Sequence, residues 1–508
     1  MCLEDGTTQT YRTLQLLSNS RTVNLVGRGT RVWKVIQVED GQEVGEPMVL
    51  KDTWSDPERC TEGHLLEKVR AADRPDELKA SMDKLFPTMV CHGDVRLNDE
   101  PRILDCTPAF GPNAGNNLTL RREDICRGEE GYGPWESEYT PQRQRVHYRL
   151  VLKEVCKPLG DETSLPKIYR ALGDAALALR VMHIAGWVHR DVSAGNILLK
   201  EDGSILLTDL ELAKEMGTQD EHAVGTPGFI AVEVQSQSYL FLPDDIEPPS
   251  PKEKPPPKYT LYQRFFENPP QDENPVVLDL PPTRRESPQY QPTFWYNPLH
   301  DLESLWWLSL YFAVKREILN QQSPEENSVV SPPHRACASD FFENDVIRGS
   351  MIQGSSLLLR KAQGVLPPIP FTLVRVLEEL LRELIQKYTA AEKDVSALNR
   401  NCADGLHEIF QQIFHEIADV EVIENMTVRP FAVLPVRNLD WFYEGCSPDD
   451  TSSCPSSRSS VKRTRSHSDA EESGRTKRAR SEETIVPDTA PGRRPYLPRR
   501  AKERNVRR

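Results

Sequence analysis

An aspartate at position 191, an asparagine five residues on and a second aspartate thirteen residues after that are the side chains best suited to chemistry. They occur in His189-Arg190-Asp191-Val192-Ser193-Ala194-Gly195-Asn196 and then in Leu206-Leu207-Thr208-Asp209-Leu210-Glu211. Phosphoryl transfer needs a carboxylate near the attacking hydroxyl, and oxygen ligands that hold Mg²⁺ against nucleotide phosphates. Asp191, Asn196 and Asp209 supply those groups in order. The spacing places Asp191 and Asn196 on one loop. The apolar runs Asn196 to Leu199 and Ile205 to Leu207, turned at Asp202-Gly203, predict a hairpin that delivers Asp209 beside them.

Companions for this triad lie upstream. Val26-Gly27-Arg28-Gly29-Thr30-Arg31-Val32 sits between two strand-like runs, and glycines there let backbone amides approach phosphates. Only Gly27 and Gly29 are present, with Val32 where a third glycine would fall. Met48-Val49-Leu50-Lys51 ends a strand on a lysine suited to the α- and β-phosphates. That lysine needs a carboxylate on the following helix, because an unpaired one costs more to desolvate. Glu62, on a face with Leu65, Leu66 and Val69, is the first choice and Glu67 the second. Arg190 beside Asp191 suits a pocket for a phosphate or a carboxylate. Thr218 and Thr226 are candidates for phosphorylation, and Asp220 and Glu221 for supplying the charge directly.

GRGT, VLKDTW, HRDVSAGN, GTPGFIAVEV and HDLESLWW occur in that order over about residues 22 to 425. Together they resemble the eukaryotic protein kinase superfamily, and within it most closely the fungal-type protein kinase family. The resemblance implies an α+β, two-lobed fold, with a small β-rich N-lobe, a larger helical C-lobe, and ATP and Mg²⁺ in the cleft. It implies transfer of the γ-phosphate to Ser or Thr hydroxyls of protein substrates. By it Lys51 holds the phosphates, Asp191 (following His189 and Arg190) orients the substrate hydroxyl and accepts its proton, and Asn196 and Asp209 bind Mg²⁺. Leu150 to Cys156 would include the hinge that meets adenine, with Leu152 near the gatekeeper position and Glu154 and Cys156 beyond it. Gly225 to Glu233 looks like the end of an activation segment, with Val232 in place of proline. Asp301 would accept backbone hydrogen bonds from the Asp191 loop, act as a helix N-cap, or do both.

Three departures accompany this likeness. Asp209-Leu210-Glu211 stands where DFG is usual, Ser193 where a lysine usually touches the transferring phosphate, and the glycine loop is incomplete. The lost lysine removes one source of charge stabilisation. Two other classes therefore stay open: a catalytically silent kinase-like scaffold, and a small-molecule phosphotransferase similar to aminoglycoside and choline kinases. The peptide-docking GTPGFIAVE segment speaks against the latter.

Bulk properties narrow the setting. The 508-residue chain has a net charge of −14 and a mean hydropathy of −0.56. Residues 456–508 carry 16 Lys/Arg against 7 Asp/Glu, so an acidic body bears a basic tail. That argues against nucleic-acid binding by the body and leaves it open for the tail. The ten cysteines are scattered without a CxxC pair, which fits a reducing compartment and neither zinc nor a disulfide framework. The polar start MCLEDGTTQT is unlike a signal sequence, and no apolar run is long enough for a bilayer. Nucleus or cytoplasm is the expected location, without a membrane partner.

The expected organisation is an N-terminal segment (1–21), an N-lobe (22–156) with a loop insertion at about 105–143, and a C-lobe (157–425). An extension (426–445) and a basic tail (446–508) follow. Residues 56–72 look helical, and the charged stretch beyond them is expected to continue that helix. Between Pro243 and Pro298 lie 15 of the 41 prolines, a composition expected to stay extended and disordered. A proline-recognising domain is one candidate partner there. Two helices are expected between Pro367 and Ile423, with His407 and His415 as surface or boundary residues. In the tail, Val461 to Arg465 and Arg475 to Arg480, nine residues apart, resemble a bipartite nuclear localisation signal read by an import receptor. A solvated charge run and loose phosphate contact remain alternatives.

Overall fold

The computed structural model describes residues 8–19, 29–57, 59–72, 74–97, 104–107, 145–218, 223–242, 293–322, 330–354, 356–393, 398 and 402–431. Contacts divide the chain into Met1–Leu434 and Pro435–Arg508. The second unit, most of the 105–143 segment and residues 243–292 of the proline-rich insertion lie outside the described residues.

The amino-terminal lobe is a five-stranded antiparallel sheet in the order β1-β2-β3-β5-β4. Its strands are β1 (Thr10–Asn19), β2 (Arg31–Glu39), β3 (Gln42–Ser55), β4 (Met89–Asp94) and β5 (Val146–Leu152). The sheet therefore begins at Thr10, not at residue 22. β1 is an edge strand exposed almost throughout, so it lacks the alternation that marks a half-buried strand, yet it pairs with β2 from Thr10 to Asn19. The β2–β3 turn rests on Asp40 (φ 48°) and Gly41 (φ 80°), the left-handed pair that a two-residue hairpin requires.

Helix α1 (Glu62–Ala71) buries Leu65, Leu66 and Val69. The charged stretch after it does not prolong it. Pro75 has no N–H and disfavours a helical residue before it, so a separate α2 (Asp76–Leu85) starts there. Thr107 N donates to Arg145 O at 2.9 Å and Arg145 N donates to Thr107 Oγ1 at 2.8 Å, so the chain leaves and re-enters the lobe at adjacent points.

The larger lobe is mainly helical. It opens with β6 (Lys157–Pro158) and α3 (Leu165–Ile184), followed by short strands β7 (Trp187–Val188), β8 (Ile197–Leu199), β9 (Ile205–Leu207) and β10 (Lys214–Glu215). Then come α4 (Val232–Ser236), α5 (Pro298–Val314), β11 (Arg316–Asn320), α6 (Pro332–Glu343), α7 (Asp345–Ile352) and α8 (Leu357–Ala362). α9 (Pro368–Ala391), α10 (Leu406–Ala418) and β12 (Met426–Pro430) complete it.

α5 is buried along nearly its whole length, as its all-round apolar sequence demands, and α3 and α9 pack on it. The helix starts at Pro298, and Thr293–Asn297 are part of the lobe rather than of the insertion. Trp295 N donates to Tyr239 Oη at 2.9 Å. The cap is Asn297, whose side chain accepts from Leu299 N while His300 reaches back to Asn297 N; Asp301 lies inside the helix and is not its cap. β12 pairs with β11, and Val428 N donates to Thr163 O at 2.7 Å. The lobe thus runs beyond residue 425, because this strand closes over the start of α3.

Candidate active site

Lys51 projects from β3 at the centre of the sheet, and its ammonium reaches two carboxylates. Nζ lies 2.6 Å from Glu62 Oε2 on α1 and 2.7 Å from Asp209 Oδ1. Burial works against the charged amine, but Asp209, Glu62 and Glu211 together outweigh it and hold Lys51 well above the usual lysine range. Removing either partner would strand a buried charge, since the Lys51 and Glu62 side chains are only 12% and 8% exposed. Glu67, the second choice for this role, is turned to His92 instead, 3.3 Å from its Nε2.

The loop carrying Asp191 is fastened from below by α5. Asp301 accepts from His189 N (2.7 Å), Arg190 N (2.8 Å), His183 Nε2 (2.8 Å) and Tyr296 Oη (3.0 Å). Burial would raise its pKa, but His183 and these donors hold it below the usual carboxylate range. The donors also hold Arg190 at φ 72°, a strained conformation for a residue with a Cβ. Its guanidinium lies 5.6 Å from the centre of the Tyr296 ring. His189 Nε2 donates to Thr208 O at 3.0 Å, and Thr208 N to Asn196 O at 2.9 Å. The loop and the β8–β9 hairpin are thereby locked together, and Asp209 follows at φ 63°. Leu210 is buried in the cluster that holds Leu65, Leu66 and Val69 of α1, which fixes the Asp209 backbone against the helix bearing Glu62.

Asn196 Nδ2 donates to Asp191 O (2.8 Å) and Oδ2 (3.0 Å), so its amide oxygen is the atom it offers to a cation. Asp209, with its side chain 32% exposed, adds a carboxylate. These hard oxygen donors suit Mg²⁺ rather than a softer metal. Gly29 has φ 51° in the β1–β2 connection; Gly27 lies outside the described residues, as do Asp220 and Glu221. Leu152 ends β5 buried, and the chain crosses between lobes through Lys153–Cys156. Glu154 uses its carboxylate to accept from Thr88 N at 2.9 Å, while burial pushes the Cys156 thiol up to about 11.

Thr226 is placed differently from a modification site. Its hydroxyl donates to Asp191 Oδ1 at 2.6 Å, where a phosphate would meet a carboxylate of like charge. Thr218 is exposed, with its hydroxyl on Glu215 O at 2.6 Å. Beyond Thr226, Arg348 donates to Gly228 O and Ile230 O at 2.7 Å each and stacks 3.9 Å from the Trp307 ring. Glu233 is fully buried and accepts from Leu240 N (2.7 Å) and His300 Nε2 (3.0 Å).

A model of the fungal protein kinase family matches residues 2–313, more than half of the chain. The chain belongs to that family. Stretches of it are also similar to serine/threonine kinases. They include the probable kinase zyg-1 of Caenorhabditis elegans, 32% identical over 112 residues, 19% of this chain and 16% of that one. PknA of Mycobacterium tuberculosis is 38% identical over 86 residues, 16% of this chain and 20% of that one. The first such matches span a fifth or less of the relatives' own length. Among solved structures, the ROP18 kinase domain in complex with AMP-PNP and sucrose overlaps 82% of this chain and 84% of its own, at 12% identity and a TM-score of 0.37. The PK-1 kinase of Cydia pomonella granulovirus overlaps 44% and 61%, at 15% identity and a TM-score of 0.26.

This fungal protein kinase contains supporting residues that spacing alone passed over. Glu303 is fully buried and accepts from Val232 N (2.8 Å), Trp307 Nε1 (3.0 Å) and Tyr388 Oη (2.8 Å). Its signal was a second carboxylate, two residues after Asp301, in a helix whose following turns are almost wholly apolar. His407 is not a surface histidine: it is buried, with Nε2 2.7 Å from His183 Nδ1, and so stands one residue behind Asp301. His415 is the boundary residue expected, 3.1 Å from Asp174, over a bare Gly173 where a Cβ would lie 2.3 Å from its ring.

Proposed function

We propose that this chain is an ATP- and Mg²⁺-dependent protein kinase that phosphorylates Ser or Thr hydroxyls of protein substrates. The observation that carries the reading is Lys51 held by both Glu62 and Asp209, with Asn196 bonded to Asp191 across the same cleft. Asn196 and Asp209 would hold Mg²⁺, which when bound neutralises charge on the phosphates. Lys51, fixed by Glu62, orients the phosphate chain. Asp191 accepts the proton of the attacking hydroxyl, held for this by Asn196 and Thr226. Ser193 leaves the transferring phosphate one cation short, which predicts a modest rate. The platform built by Arg348, Glu303 and Glu233 under residues 228–240 suits an extended peptide better than a small metabolite.

The test compares wild type with Asp191→Asn for Mg²⁺-ATP binding and for phosphate transfer to generic protein substrate and to itself. Binding in both with transfer only in wild type is the expected result. Absence of Mg²⁺-ATP binding would sink the reading, and binding without transfer by wild type would favour a scaffold. Nuclear import through the basic tail is part of the same proposal and rests on the two basic clusters alone.

A further inference from the structure

On the outer side of α1, His64 and Glu67 meet His92 of β4, and one donor atom from each lies within 4.8 Å of the other two. We propose that these three side chains form a zinc-type divalent metal site that ties α1 to β4. Two imidazoles and a carboxylate are a donor set that Zn²⁺ accepts, with water as the fourth ligand, and one that Mg²⁺ does not prefer.

Three observations point to a ligand. His64 Nδ1 is 2.7 Å from Thr61 Oγ1, the outer-shell contact that metal-binding histidines usually make, so Nε2 is the nitrogen proposed as ligand. His92 has only 9% of its side chain exposed, and the nitrogen it turns to the cluster is Nε2, 3.3 Å from Glu67 Oε1. Gly63 allows the approach: a Cβ there would come within 2.4 Å of His92 Cγ and 2.5 Å of Tyr148 Oη. The rings of His64 and His92 already stand edge to face at 4.7 Å. Bonds of about 2.0–2.2 Å need the donors roughly 3.3 Å apart. Glu67, with its side chain 52% exposed, has the freedom to close that distance.

Glu62, the partner of Lys51, is two residues before His64 on the same helix. A metal bridging α1 to β4 therefore holds Glu62 where it reaches Lys51, and its loss frees the helix to move. This consequence rests on the phosphotransfer reading, whereas the binding does not.

The test titrates Co²⁺ into the metal-free full-length protein, with millimolar Mg²⁺ present to occupy oxygen sites, and follows visible d–d absorption and displacement by Zn²⁺. One equivalent is expected in wild type, weakened at least about tenfold in His64→Gln and in Glu67→Gln. Glu67 is exposed enough that its variant keeps the fold, which thermal melting checks. Equal titration of wild type and both variants, or absorption typical of thiolate ligands, overturns the site. Phosphate transfer is then compared with and without one equivalent of Zn²⁺; a change in wild type that is absent in Glu67→Gln supports the bridge, and no change overturns its regulatory role. A chain that binds Co²⁺ through His64 and never transfers phosphate refutes the phosphotransfer reading while leaving the metal site standing.

Discussion

The hydroxyl of Thr226 hydrogen-bonds Asp191 Oδ1 while Asn196 takes Oδ2, so the proposed base is gripped on both oxygens before substrate arrives. Orientation of a base contributes through geometry rather than charge. Thr226→Ala should then lower kcat by about ten- to a hundredfold, a part of what a general base contributes in full. Thr226→Ser should restore most of it, and steady-state kinetics with a generic peptide would show the pattern. A phosphorylation role would make Ser and Ala differ only when a second kinase is present. The meeting of Asp191, Asn196, Asp209 and Lys51 around one cleft was legible from residue type and interval, since it needs only a carboxylate, amide or amine at a set distance along the chain. The contact of Thr226 with Asp191 was not legible, because a hydroxyl after a glycine looks the same whether it faces a kinase or an aspartate.

The platform beneath residues 228–241 is held by carboxylates from two separate helices. α4 offers Glu233 and the end of α9 offers Glu392, whose Oε2 accepts from Phe241 N at 2.7 Å and whose Oε1 lacks a donor. His300 Nδ1 accepts from Asn297 N, so Nε2 bears the hydrogen given to Glu233. Burial holds His300 down at about 4, so it brings no charge to the pair, while Glu303 adds its negative field to Glu233. Burial pushes Glu233 up to about 8 and Glu392 up to about 9, so the pair keeps its protons at neutral pH, and one of them is shared through the hydrogen bond that joins the two carboxyls. Unfolded glutamates release their protons near pH 4.5. Between there and about pH 9 the folded chain binds more protons than the unfolded one, and this pair's contribution to stability falls as pH rises. Glu392→Gln supplies a permanent donor. The melting temperature of that variant should fall less than wild type between pH 5 and 9; parallel curves would refute a shared proton. None of this could be read from the sequence, because 159 positions separate the two glutamates. Helices α9 and α10, in contrast, were visible as a buried stripe repeating every three to four residues, and α5 as an all-round apolar run.

The whole molecule joins an ordered body to long segments of different composition. Truncation after residue 445 should leave the melting temperature of the body within about 1 °C, since Met1–Leu434 makes its own contacts. The same truncation should abolish nuclear accumulation of a fluorescent fusion; unchanged accumulation would dismiss the localisation signal. Boundaries were the least legible feature. An exposed edge strand at Thr10–Asn19 and a two-stranded clasp at Met426–Pro430 have no strong pattern of their own and depend on partners far along the chain. The stitched pair Thr107 and Arg145 has a bearing on how the gene can be edited. A segment whose two ends already meet adds little closure entropy when it is lengthened or cut, roughly 0.6 kcal/mol for each doubling. A short Gly-Ser bridge joining Thr107 to Arg145 should therefore close at little entropic cost, and melting and Mg²⁺-ATP binding compared with wild type would check it.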